Sequence, residues 1–226
     1  MLQYTAIAIA AVFALVGFLP LAGGSVRRPL LWLSLVAGAA AGYFAREGTL
    51  VALDLISPYI DVAAGPVGAA TAVLIAAAVG ELLKATPALA AVSIGSADEV
   101  TGLAYGAAAG AGFGFFVTQR VLAMALGLIG SPFITPLSAG VAIFGWFFRI
   151  LAHIVTTANV ARAGVGGGLG GALFLAWMIQ FALGMAERWP KLAGVPIVLV
   201  TAVISLGMFG YLWRTRSRAA SPAAGS

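Results

Sequence analysis

The sequence predicts an all-α protein: a polytopic membrane bundle of about seven transmembrane helices, with one amphipathic segment lying at the interface. Three observations carry that expectation. Hydrophobic residues make up 62% of the chain and charged residues only 8%, a balance foreign to soluble domains. Apolar runs of about 20 residues, enough to cross a bilayer core, recur along its length. Most basic residues fall between these runs and after the last, so the net charge of +5 sets orientation and does not mark a nucleic-acid surface. The lack of cysteine excludes disulfides, thiolate ligands and thiol nucleophiles. Residues 1–213 are expected to form a single transmembrane domain, and residues 214–226 a basic, disordered cytoplasmic tail.

The first span is expected over residues 3–21, with no basic stretch ahead of it to mark a cleaved leader. Arg27 and Arg28 follow in a short loop, and residues 29–45 form the second span, closed by Arg46 and Glu47. Residues 50–62 change character, because Asp54, Ser57, Pro58 and Asp61 fall on one side at helical spacing. So short and polar a stretch fits an amphipathic segment at the interface, with its aspartates solvated rather than catalytic.

Residues 66–92 form a span that carries Glu81 and Lys84, with Pro87 near its end. Opposite charges three apart share one helix face and can pair. An ionisable pair in a span is costly and is kept where it faces protein, water or a partner. Asp98 and Glu99 precede the next helix, where carboxylates suit the dipole. On that helix, over residues 101–128, Gly102, Gly106, Gly110 and Gly114 recur every fourth residue and form a smooth ridge for close helix packing. Gln119 and Arg120 lie further along it.

Residues 137–161 carry Arg149, His153 and Thr157, spaced four apart and so facing one way. The glycines of residues 164–171 lack the strand before and the Lys-Ser/Thr after that a phosphate loop needs. The last spans cover residues 173–186 and 192–211, ending in Trp213, Arg214, Arg216 and Arg218 as an interfacial anchor. With the amino terminus outside and the carboxyl terminus in the cytoplasm, Arg27, Arg28, Arg162, Arg214, Arg216 and Arg218 lie inside, while Arg46, Arg188 and Lys191 lie outside. A retinal protein is excluded, because the last two helices have no internal lysine for a Schiff base.

Glu81, Lys84, Arg149 and His153 thus fall at similar depth and form a self-neutralising candidate cluster, with Thr157, Gln119 and Arg120 in support. It is either a metal or water-activating centre or an ion-pair network that holds helices together. Gly80-Glu81-Leu82-Leu83-Lys84, the stretch Asp98-Glu99-Val100-Thr101-Gly102-Leu103-Ala104-Tyr105-Gly106, the glycines 110–114, and Arg149 with His153 resemble the core of the PrsW-type intramembrane proteases. That resemblance spans residues 80–160 and implies a presumed metalloprotease, related in fold to the CAAX-processing and bacteriocin-immunity membrane proteases. On it, Glu81, Lys84 and His153 occupy catalytic positions, and Glu81 and His153 would be the metal ligands, of zinc, in an active enzyme.

The departures are specific. The family's Glu-Glu-x-x-Lys begins here with Gly80, its Phe-x-x-x-Glu reaches Val117 (or Gln119 in a shifted frame), and its His-x-x-x-Asp ends at Thr157. A catalytic zinc takes three protein ligands and a water, with a base beside it. The expectation is therefore a degenerate member without a cofactor, serving as a scaffold or accessory subunit of a bacterial or archaeal cytoplasmic membrane. Its partners would be the lipid bilayer and a transmembrane helix of another protein. An active intramembrane metalloprotease and a transporter or proton relay are the alternatives.

Overall fold

The computed structural model describes residues 2–59, 65–128, 136–188 and 190–220. Among them there are seven α-helices and no strand: α1 (Leu2–Ala22), α2 (Pro29–Ile56), α3 (Gly65–Ile94), α4 (Glu99–Leu128), α5 (Pro136–Gly166), α6 (Leu169–Arg188) and α7 (Pro190–Ala220). A 3-10 turn over Gly23–Arg27 joins α1 to α2. Among the described residues four stretches are long and apolar enough to cross a bilayer: Leu2–Arg27, Gly65–Ile94, Glu99–Gly127 and Ile143–Gly166. The apolar part of α6, Leu169–Met185, is shorter. Large hydrophobic side chains face outward on most helices, among them Val16, Leu33, Val36, Leu82, Phe174 and Val203. Exposed apolar surface of that extent suits lipid, not water.

Helix α4 is the centre. Every residue from 101 to 114 is buried, and the helix packs against α1, α2, α3 and α5. Its run of alanine and glycine explains why four neighbours fit around it, since without a hydrophobic drive between helices in lipid, close backbone approach supplies the packing energy. Toward α5 the glycine ridge is the contact. A Cβ at Gly102 would lie 3.2 Å from the Ala161 carbonyl oxygen, one at Gly106 would meet the Thr157 carbonyl, one at Gly110 the His153 carbonyl, and one at Gly114 would lie 3.2 Å from Ile150 Cα. The two helices therefore run antiparallel with their backbones almost touching. A second glycine contact faces α2, where Gly112 abuts the Leu35 carbonyl and Gly38 the Ala109 carbonyl. On α1 the buried stripe is Ala6, Ala10, Ala14, Phe18 and Leu21, small residues first and bulky ones near the turn.

Two expectations need correction. Residues 50–56 are not a separate interfacial segment; they are the last turns of α2. No breaker stands between Tyr43 and Ile56 except Gly48, and the helix runs to a C-cap at Ser57, whose amide still donates to the Leu53 carbonyl at 3.0 Å; Pro58, which has no N–H to donate, follows at once. Asp54 is exposed on those turns, and Asp61 lies outside the described residues. The basic tail is not wholly disordered either, because α7 stays helical through Arg214, Arg216 and Arg218 to Ala220. The Arg216 guanidinium donates to the Pro20 carbonyl of α1 and holds this last part of α7 against the bundle. Residues 221–226 lie outside the described residues.

Local signals place the connections. Between α5 and α6, Gly167 and Gly168 take φ of 92° and 85°, a left-handed backbone that favours glycine. Asp98 caps α4, its Oδ1 accepting from the Thr101 amide at 2.7 Å. That bond, helped by nearby Arg28, holds the Asp98 carboxyl below its ordinary range. Asp98→Ala is expected to lower stability by about 1 kcal/mol. Because the folded value lies below the unfolded one, the contribution is present at neutral pH and fades as pH falls through the folded value. Thermal unfolding of wild type and variant in detergent, from neutral to acid pH, checks this: the gap between them should narrow as the pH falls.

Candidate functional site

The ion pair predicted from spacing forms. On α3 the Lys84 ammonium donates to Glu81 Oε1, and the two side chains are only 1% and 4% exposed. Lys84 also donates to Thr156 Oγ1 on α5 at 3.0 Å, and its Nζ lies 5.8 Å from the centre of the Phe113 ring on α4. The Thr156 hydroxyl in turn donates to the Ala152 carbonyl at 2.8 Å. One buried cation thus ties α3, α4 and α5 together, which offsets the cost of holding it away from water.

Beside the pair lies a cavity of about 530 Å³, walled by α2 to α6. Glu81, Arg149, His153 and Gln180 contribute its polar lining, with Arg46 and Thr49 from α2. The glycine ridge positions the imidazole: Gly110 brings α4 onto the His153 backbone, so that the Phe113 ring reaches the His153 ring at 5.0 Å between centroids. Arg149, one turn earlier, lies over the Trp146 ring at 5.3 Å. Four buried polar atoms of the lining have no hydrogen-bond partner among the described residues: Glu81 Oε2, His153 Nδ1 and Nε2, and Gln180 Nε2. Buried polar groups are rarely left so, and a group of them around one space marks room for water or a ligand.

The cluster read from the sequence is largely assembled, with limits. Glu81, Arg149 and His153 share the cavity. Thr157 does not line it; its hydroxyl turns back to the His153 carbonyl at 2.8 Å. Steps of four residues rotate about 40° around a helix, so by the second step the side chain has left the face of Arg149. Gln119 is half-buried on α4 and is not part of the lining, and the Arg120 side chain lies outside the described residues. Sequence reasoning missed Thr156 and Gln180. Thr156 stands three residues after His153 and so shares its side of α5. Gln180 is the lone polar side chain in the otherwise apolar middle of α6, a position where polarity is costly and worth noticing.

Gly80 and Val117 also line the cavity. These are the positions where the resembled motifs carry glutamates. Among the described residues no three His, Cys, Asp or Glu side chains converge; Glu81 and His153 are the two such side chains in the cavity lining. Compared with family models, curated proteins and solved structures, the chain matches none.

Proposed function

We propose that the chain is a PrsW-like integral membrane protein of about seven spans whose proteolytic site has decayed, and that it serves as a scaffold or accessory subunit receiving a partner's transmembrane helix. One observation carries the reading: Glu81 and His153 share a cavity with Gly80 and Val117, two of the three places where the resembled motifs carry acidic residues. The space of the site is kept while its donors are missing. The orientation that suits it puts the basic ends of α2, α5 and α7 in the cytoplasm.

Co-expression with a panel of tagged single-span membrane proteins tests it. The expected result is association with one or more of them and no cleavage. Cleavage that stops on Glu81→Gln or on His153→Ala would overturn the loss of activity, as would about one equivalent of zinc retained by purified protein. The unpartnered atoms around the cavity favour a second reading, a proton relay. Proton flux in proteoliposomes that is lost in Glu81→Gln would select it over the scaffold.

A further inference from the structure

We infer that the basic end of the bundle holds a specific site for the phosphate of an anionic phospholipid. A cleft of about 390 Å³, separate from the central cavity, lies between the α1–α2 turn, the start of α4 and the end of α7. Its polar lining is Ser25, Arg28, Thr101 and Arg216. Both guanidiniums are held in place: Arg28 donates to Thr101 Oγ1 at 3.3 Å, and Arg216 donates to the Pro20 carbonyl and rests 6.0 Å from the Trp213 ring centre. A guanidinium carries five donors, so each keeps some for a ligand. Arginine forks match phosphate oxygens, and two held forks with two hydroxyls beside them suit a phosphate group.

Charge and depth narrow the source. Arg27, Arg162, Arg214 and Arg218 lie at the same end, where the acidic side chains are Asp98 and Glu99, and the Asp98 carboxylate is already engaged by the Thr101 amide. Trp32, Trp213 and Tyr211 are exposed around this end, and Trp32 donates to the Val26 carbonyl at 2.9 Å. Exposed tryptophan and tyrosine rings sit at headgroup level in a bilayer, which sets the cleft at the depth of lipid phosphates. Basic pockets between transmembrane helices bind anionic headgroups by this combination.

The test is lipid retention by the purified full chain in neutral detergent, read by native mass spectrometry. Phosphatidylglycerol is expected to be kept at least ~10-fold over phosphatidylcholine, and Arg28→Gln/Arg216→Gln to lower that retention about 30-fold. Arg214→Gln/Arg218→Gln removes equal charge from the same end outside the cleft and is expected to change it less than about threefold at physiological salt. Arg28→Lys/Arg216→Lys keeps the charge and guards against a folding defect; it should retain more lipid than the glutamine pair and less than wild type. Equal retention of both lipids, or equal loss in the two glutamine pairs, would overturn the site. Displacement of the lipid by millimolar inorganic phosphate would assign the cleft to a free anion and overturn the lipid assignment.

Discussion

Lys84→Met is expected to destabilise the protein by about 3–5 kcal/mol, because it leaves the buried Glu81 carboxylate without its partner. The cost belongs to the stranded charge and not to the pair as such. Replacing both residues, as in Glu81→Leu/Lys84→Met, should therefore bring stability back to within about 1 kcal/mol of wild type. Thr156 tolerates the loss of the ammonium, since its hydroxyl still donates to the Ala152 carbonyl. Thermal unfolding in detergent of the two single variants and the double variant gives the comparison. A double variant as unstable as Lys84→Met would show that the site depends on Lys84 for something other than neutralising Glu81.

The second large effect concerns the centre of the bundle. Gly110→Val places a branched side chain against the His153 backbone, and Gly112→Val does the same against Leu35. Neither neighbour is the end of a flexible side chain, so whole helices must part. Each is expected to cost about 3 kcal/mol, at the upper end of overpacking effects. Gly207→Val on α7 has open space within 4 Å and should stay within about 0.5 kcal/mol of wild type. Thermal midpoints of the three variants settle it, and similar losses in all three would mean that helix propensity, not packing, is being read.

These two sites also show what could be read from the chain. Glu81 and Lys84 pair because a three-residue step keeps them on one helix face, and that needs no knowledge of neighbours. The ridge from Gly102 to Gly114 likewise follows from its four-residue repeat, although its partner, α5, does not. The second glycine contact escaped because Gly112 stands alone on its face of α4, and its counterpart Gly38 lies on another helix. Gln180 and Thr156 enter the site through tertiary approach, which local spacing cannot supply. The extent of α7 is hidden from the sequence for the same reason: the small and charged residues after Trp213 are poor evidence of helix, and the bond from Arg216 to Pro20 that holds them is made across the fold. For α2 the polar spacing of Asp54 and Ser57 was real, but it described an exposed face of a continuing helix.

The proposed site stands or falls with a polar, water-reachable cavity walled by α2 to α6, with Glu81 and His153 in its lining. A chain without cysteine lets single thiols report on it directly. The measurement is the rate at which a small charged thiol reagent labels Gly80→Cys and Val117→Cys in membranes, against Leu82→Cys and Met124→Cys. The first two positions line the cavity, and the last two are 62% and 61% exposed on the outer faces of the same helices. Labelling of Gly80→Cys and Val117→Cys, with Leu82→Cys and Met124→Cys protected by lipid, is the expected result. The reverse pattern would place Glu81 and His153 in a dry interface or on the wrong faces of their helices, and the cavity would not exist.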